Sequence, residues 1–156
     1  MHRFDRDTLR RRPDSAFGEQ RQIRFQDVDA AGIIFYPRVL EHCHDVLLSF
    51  FAAAGAPLHE HLRAPTWLAP IRHAEADYFK PLRFGDAVEV ALVAAEVAET
   101  EVTLGFRVAR TSGGEVCAVA QSVHAFVSAQ TFQRCPVPEP LRSAFLRLGV
   151  GDPPTK

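Results

Sequence analysis

Between residues 37 and 54, apolar positions recur at intervals of three and four, the spacing of a helix with a broad buried face. They are Val39, Leu40, Cys43, Val46, Leu47, Phe50 and Phe51. Pro37 suits the first helical turn, and Gly55 followed by Pro57 suits the end of the helix. The pattern therefore predicts one long helix, and no second helix of this length is predicted.

The rest of the pattern is mostly that of β-strands. Residues 101–110 alternate between two faces, and the turn Ser112-Gly113-Gly114 predicts a hairpin with a strand at 115–129. Further strands are predicted at 20–26, 71–80 and 86–97, a short helical turn at 58–62 and a terminal helix at 138–148. Because a single helix cannot bury a wide apolar face alone, we expect an α+β fold in which an antiparallel sheet curves around it.

The length of 156 residues suits one domain, predicted at 18–148. Residues 1–17 contain an arginine run without a following apolar segment, so we expect a mobile or loosely docked arm rather than a signal peptide. Residues 149–156 are expected to be a disordered tail.

Charge, hydropathy and cysteine content exclude several classes of function. The 18 basic and 19 acidic residues nearly cancel, so nucleic acid is not an expected partner. No apolar run reaches the ~18 residues of a membrane span, and a soluble protein is expected. Three widely spaced cysteines fit neither a disulfide framework nor a zinc site and favour the reducing cytoplasm.

The segment RFQDVDAAGIIFYPRVLEH, residues 24–42, places two aspartates before the long helix. Backbone amides at a helix start donate hydrogen bonds and carry partial positive charge. Asp29 and these amides supply two parts of an acyl-transfer site, a carboxylate and donors for an oxyanion. Because an ionised aspartate is a weak base, an activated acyl group such as a thioester is the favoured substrate. The alternative is that Asp29 only forms a turn or caps the helix.

The stretch FQDVDAAGIIFYP, residues 25–37, resembles the signature of the 4-hydroxybenzoyl-CoA thioesterase family of hotdog-fold proteins. The resemblance extends over roughly residues 19–145. It implies that Asp29 is the catalytic carboxylate and that the backbone amide of Tyr36 polarises the thioester carbonyl. It also implies an acyl-CoA substrate and a homodimer or homotetramer in which two subunits join their sheets and share each active site. No cofactor is expected, because a thioester is already activated.

Two more stretches, residues 71–86 and 122–127, are similar to family members acting on 1,4-dihydroxy-2-naphthoyl-CoA, which favours an aromatic acyl group. Two departures from the family pattern are Val28, where many members have Thr or Cys, and residues 98–101, where the 4-hydroxybenzoyl enzyme carries a basic cluster for CoA phosphates. The CoA-binding residues are therefore left open among four cations, Lys80, Arg83, Arg107 and Arg110.

Candidate substrate-binding residues are Gly32, Ile34 and Phe35, in the loop after Asp29, and His73. His73 shares a strand face with Glu75 and Asp77, where it could contact a polar aryl substituent or serve only as a hydrogen-bonded strand residue. Trp67 could add aromatic surface, although core packing is the simpler interpretation.

Three other candidates are less favoured. His42 and His44 lie about 200° apart around a helix and cannot share an ion, so no metal site is predicted. Glu41 ranks below Asp29 as a catalytic carboxylate, and His124 is expected to be a hydrogen-bonded core or interface histidine.

The sequence thus predicts an acyl-CoA thioesterase in which Asp29 attacks the acyl group or orients water. Two alternatives stay open. A hotdog dehydratase would act on a 3-hydroxyacyl thioester with His73, and a binding module would hold acyl-CoA without turnover.

Overall fold

Residues 3–149 are described by a computed structural model and contain a sheet that curves around one long helix. The helices are α1 (Arg6–Arg10), α2 (Pro37–Ala53), α3 (Leu58–His61) and α4 (Leu141–Leu148). The strands are β1 (Phe17–Gln22), β2 (Trp67–Leu68), β3 (Ile71–Tyr78), β4 (Ala87–Val97), β5 (Glu101–Arg110), β6 (Val116–Ala125) and β7 (Val127–Ser128). The main sheet is antiparallel with the order β1-β4-β5-β6-β3, and β2 pairs with β7.

The core lies between α2 and the inner face of the sheet. From α2 it takes Val39, Cys43, Val46, Leu47, Phe50 and Phe51. Alternate residues of β5, including Leu104 and Phe106, face them. Each fully buried side chain of this kind contributes about 1.5–3 kcal/mol. The predicted α+β arrangement is confirmed. In the described chain, no helix combines the length and apolar character that a membrane span requires.

Two predicted strand boundaries differ from the structure. The strand expected at 20–26 is β1, Phe17–Gln22, and Phe25–Asp27 form a 3-10 turn instead. The carboxylate of Asp27 accepts a hydrogen bond from the Arg24 backbone at 2.8 Å, so local side-chain bonding replaces the sheet ladder there. The strand expected at 115–129 divides at Phe126, whose amide donates to Thr100 O at 2.8 Å, and the following β7 pairs with β2.

The amino-terminal segment packs on the outer face of the sheet, which corrects the expectation of a mobile or loosely docked arm. Helix α1 is capped by Asp5, whose side chain accepts from Thr8 N at 2.7 Å. Leu9 is only 2% exposed and, with Phe4, packs on the outer face of the sheet. Sequence periodicity misses this docking because two apolar residues in a short helix carry it. The disordered tail predicted for residues 149–156 lies, except for Gly149, outside the described residues.

Ion pairs add to this docking but do not dominate it. Arg3 pairs with Glu75 at 3.0 Å, Arg6 with Asp77 at 2.6 Å and Arg12 with Glu89 at 2.7 Å. Partly exposed pairs of this type contribute about 0–1 kcal/mol each. Burial of Phe4 and Leu9 is therefore the larger contribution.

The Leu9 side chain packs directly over Gly105 in β5. A Cβ atom at position 105 would lie 2.3 Å from Leu9 Cδ2. We predict that Gly105→Ala destabilises the docked segment by about 1–3 kcal/mol and speeds tryptic cleavage at Arg10–Arg12. Adding Leu9→Ala removes the clash with Leu9. The double variant should therefore lose less free energy of unfolding, measured in urea, than the two single variants lose together. Additive losses would contradict this contact.

Candidate active site

The loop between β1 and α2 is a narrow, closely hydrogen-bonded hairpin. Phe35 N donates to Asp27 O at 2.8 Å, and Asp29 N donates to Ile33 O at 3.0 Å. Ile34 N also donates to Leu82 O at 2.8 Å, which ties the loop to the connection between β3 and β4. These bonds fix the loop in front of the first turn of α2.

The first aspartate of the pair anchors this loop. Asp27 is fully buried, and its carboxylate accepts from Arg24 N at 2.8 Å, from the Arg24 guanidinium at 3.0 and 3.1 Å, and from His42 Nε2 at 3.1 Å. Burial acts to raise the pKa of Asp27, but the hydrogen bonds from Arg24 and the neighbouring His42 outweigh it and lower the pKa to about 2. Asp27 thereby joins the loop to α2.

The second aspartate, Asp29, is exposed at the tip of the hairpin. Ala31 N donates to its Oδ1 at 2.8 Å, and Gly32 N donates to its backbone oxygen at 2.9 Å. Gly32 has a φ of 76°, the left-handed conformation that this turn requires and that favours glycine. The carboxylate therefore stabilises a turn, which is the alternative role that the sequence left open for Asp29. Its second oxygen, Oδ2, has no hydrogen-bond partner in residues 3–149. Gly32 serves the shape of the loop.

Tyr36 presents an unused donor at the entrance to α2. Its backbone amide donates no hydrogen bond to any part of the described chain, and Pro37 has no N–H of its own. The Tyr36 carbonyl accepts from the Tyr78 hydroxyl at 2.5 Å, which holds the following peptide group, between Tyr36 and Pro37, against β3. A free amide in this position suits a carbonyl oxygen that gains negative charge.

A groove of about 320 Å³ lies beside Tyr36. It is lined by Ile33, Ile34, Tyr36, Tyr78, Phe79, Lys80 and Pro81. Ile34, predicted in the site, is therefore one of its walls. Phe35, also predicted, is half exposed and makes an edge contact with the Tyr36 ring, their centroids 5.3 Å apart. Both residues lie beside Tyr36, and their role in substrate binding stays a prediction.

His73 lies on the opposite face of the sheet from this groove. Its Nε2 is 2.8 Å from Glu75 Oε2, and its Nδ1 is 3.4 Å from the Arg3 guanidinium. Side chains alternate along β3, so His73 and Glu75 face the amino-terminal segment while Ala76 and Tyr78 face α2. Within one chain, His73 is not brought together with Asp29 and Tyr36.

The other candidate side chains have structural surroundings of their own. Trp67 packs in the core and stacks on His61, with ring centroids 4.0 Å apart. Glu41 is exposed and pairs with Arg38 at 2.6 Å. His42 is buried against Asp27 while His44 is exposed, so the two histidines diverge.

Of the four candidate cations, Lys80 lines the groove. Arg107 donates to Arg10 O at 2.9 Å on the outer face, and Arg110 pairs with Asp86. Arg83 is exposed next to Leu82, whose carbonyl receives the loop. Lys80 forms no ion pair within residues 3–149, which leaves its charge free for a phosphate.

Strand β3 ends the sheet, and its outer edge carries no strand partner in the described chain. Apolar surface is exposed along it, since Ile71 is 53% exposed, Tyr78 45% and the adjoining Tyr36 67%. An edge of this kind is a template for pairing with another strand. The groove and the edge are contiguous at Tyr36 and Tyr78.

Comparisons with known proteins agree with this fold. The sequence profile of the thioesterase-like superfamily matches residues 23–145, so the chain belongs to that family. A 1,4-dihydroxy-2-naphthoyl-CoA hydrolase of Synechococcus elongatus is 35% identical over 124 residues, which make up 79% of this chain and 90% of that protein.

Solved structures show the same architecture. A 1,4-dihydroxy-2-naphthoyl-CoA thioesterase from Synechocystis superposes with a TM-score of 0.79 at 23% identity, over 84% of this chain and 96% of its own. A gentisyl-coenzyme A thioesterase superposes with a TM-score of 0.72 at 27% identity, over 82% of this chain and 98% of its own. The predictions of family and hotdog fold are confirmed.

We predict that Asp27→Asn lowers the free energy of unfolding by about 2 kcal/mol or more, because it weakens charge-assisted hydrogen bonds in a buried site. The low pKa of the folded state makes this stabilisation fully present above about pH 4 and lost as the pH falls toward about 2. The difference in the free energy of unfolding between wild-type protein and Asp27→Asn, measured in urea, should therefore become smaller as the pH falls through that window. A difference independent of pH would contradict an ionised Asp27.

The matched control for this experiment is Asp45→Asn. Asp45 pairs with Arg21 at 2.6 Å but is half exposed, so its removal should cost less than about 1 kcal/mol.

Proposed function

We propose that this protein hydrolyses the thioester of an aromatic acyl-CoA to the free acid and CoA. The observation that carries the proposal is a hydrogen-bonded hairpin that presents the Asp29 carboxylate and leads into Tyr36, whose amide has no partner in residues 3–149 and which lines an open groove. The activities named for the relatives, hydrolysis of 1,4-dihydroxy-2-naphthoyl-CoA and of gentisyl-CoA, support an aromatic acyl group.

The chemistry follows from these two groups. The thioester oxygen accepts a hydrogen bond from Tyr36 N–H, which stabilises the charge that develops when the carbonyl carbon is attacked. In one route the Asp29 carboxylate attacks, CoA leaves as its thiolate, and water cleaves the resulting anhydride. In the other, Asp29 accepts a proton from water as that water attacks the same carbon. Both routes release CoA and the free acid.

A second copy of the chain completes this site in our proposal. Asp29 is exposed in one chain, and the neighbouring edge of β3 is unpaired and apolar. Pairing β3 with β3 of a second copy would satisfy the free backbone groups and cover the groove. We extend the proposal to a homodimer, or a tetramer formed from two such dimers, in the cytoplasm.

The two alternative functions have less support. A dehydratase would need a histidine–carboxylate pair at the site, but His73 and Glu75 pair on the opposite face of the sheet. His42 and Asp27 form a second pair, which is buried and occupied in holding the loop. A binding module would be indicated if the protein bound acyl-CoA but released no free CoA.

The first test is Asp29→Asn. Asparagine keeps an oxygen for Ala31 N and so preserves the turn, but it neither attacks an acyl carbon nor accepts a proton. We expect kcat to fall by about a hundredfold or more, measured as thiol release from aromatic acyl-CoAs. Glu41→Gln is the matched control and should retain activity. Full activity of the Asp29 variant would refute the role of this carboxylate. Formation of an enoyl product from a 3-hydroxyacyl-CoA, assayed in parallel, would identify a dehydratase.

The second test concerns the position of the Tyr36 amide. Tyr78→Phe removes the hydrogen bond to Tyr36 O, which loosens the backbone at Tyr36 and with it the preceding amide, so kcat should fall on the order of tenfold with little change in KM. Tyr36→Phe is the control, because it keeps the backbone amide and the Tyr36 hydroxyl bonds nothing in residues 3–149. The idea fails if Tyr36→Phe is the more damaging of the two.

A further inference from the structure

Helix α1 places an arginine beside the groove that Tyr36 lines. Arg10 Cζ lies over the Phe79 ring, 3.9 Å from its centroid, and Phe79 is one of the residues that line the groove. The next residue, Lys80, lines the groove as well. The family match begins at residue 23, so Arg10 comes from a segment that precedes the matched part of the chain.

The contact with Phe79 positions the Arg10 side chain without neutralising it. A guanidinium over an aromatic ring is attracted by the ring quadrupole and needs no acidic partner. Arg10 is exposed, and its side chain forms no ion pair within residues 3–149. Its positive charge and its N–H groups are therefore available to an anion, and the guanidinium fork matches two oxygens of a phosphate.

The main chain at Arg10 is fixed from two directions. The preceding residue, Leu9, is buried over Gly105 in β5. Arg107 donates to Arg10 O at 2.9 Å through Nε, and to Gly114 O at 3.2 Å through Nη2. Arg107, one of the four cations that the sequence left open as phosphate ligands, therefore supports Arg10 through hydrogen bonds to backbone oxygens.

A second arginine supports the other side of this end of the groove. Arg110 Nη2 donates to the carbonyl oxygen of Pro81, which also lines the groove, at 2.6 Å. The Arg110 guanidinium is paired with Asp86 and Glu115, so its charge is offset where it stands. Lys80, by contrast, is exposed and forms no ion pair within residues 3–149, so its charge is not offset.

Phe79 and Lys80 lie just beyond the end of the edge strand. Strand β3 ends at Tyr78, and the amides of Phe79 and Lys80 both donate to Cys117 O, at 2.8 and 3.2 Å. A second copy that pairs with β3 would therefore leave these two residues beyond the paired strand. A long ligand could leave the covered groove at this end.

We propose that Arg10 and Lys80 bind a phosphate group of CoA, so that the amino-terminal segment forms part of the substrate-binding site. In an acyl-CoA a long flexible arm joins the thioester sulfur to the phosphates. A site for the whole molecule therefore needs oxyanion donors at one end and cations at the other, and Tyr36 and Lys80 supply these in one groove. This inference rests on the proposed function. Arg10 and Lys80 are binding residues and take no part in the attack on the thioester.

The kinetic test compares benzoyl-CoA with S-benzoyl-pantetheine, which has the same thioester and arm but no phosphate. Arg10→Gln and Lys80→Gln should each lower kcat/KM for benzoyl-CoA by about tenfold, through KM, and leave the value for S-benzoyl-pantetheine unchanged. Arg10→Lys keeps the charge but loses the planar fork, so its effect should be smaller. Arg63→Gln is the matched control and should change neither value, because Arg63 is exposed after α3, beyond the far end of α2.

Binding measured without catalysis separates this inference from the proposed function. Calorimetry should show that wild-type protein binds CoA about tenfold or more tightly than pantetheine, and that Arg10→Gln and Lys80→Gln each reduce this ratio. Dephospho-CoA identifies the phosphate. If it binds as weakly as pantetheine, the two cations bind the 3′-phosphate, and if it binds as tightly as CoA, they bind the diphosphate.

Three results overturn the inference. They are equal binding of CoA and pantetheine to wild-type protein, a ratio that neither variant changes, and an equal loss of affinity for both compounds, which would indicate a structural role. If CoA binding depends on Arg10 and Lys80 but no thioester is hydrolysed, the proposed function alone is contradicted.

Discussion

The buried carboxylate of Asp27 is the constraint on which the geometry of the site depends. Removing an ionised carboxylate from water costs several kcal/mol unless hydrogen bonds replace its hydration. Here Arg24 supplies backbone and guanidinium donors, and His42 supplies another from α2. The chain before the loop, the loop and the helix are thereby joined at one group. Asp29 and Tyr36 follow Asp27 on the same hairpin, so their relative position is set by the same contacts.

The two aspartates of the motif thus have different surroundings and different uses. The carboxylate of Asp27 accepts four hydrogen bonds within the fold, whereas one oxygen of the Asp29 carboxylate accepts none from residues 3–149. The backbone amide of Tyr36 donates no hydrogen bond to the described residues, and the Tyr78 hydroxyl on the edge strand bonds the carbonyl oxygen of the same residue.

Periodicity predicts the parts of the fold that repeat. The 3.6-residue pattern of α2 and the alternation of β5 each extend over several turns or pairs, so a sequence alone locates them well. It places β1 incorrectly because the Asp27 side chain competes for the backbone there, and it misses the docked amino-terminal helix because Leu9 and Phe4 form no repeating pattern. The contact between Asp27 and His42, fifteen residues apart, exists only in the folded chain. For His73, strand alternation correctly predicts a shared face with Glu75. It does not predict which face of β3 packs against α2.

The most direct measurement is a crystal structure of the Asp29→Asn protein with a bound aromatic acyl-CoA. Our account predicts the thioester oxygen within hydrogen-bond distance of Tyr36 N, with residue 29 beside the carbonyl carbon. An acyl-CoA bound elsewhere, with Tyr36 N directed at solvent or at another part of the protein, would contradict it.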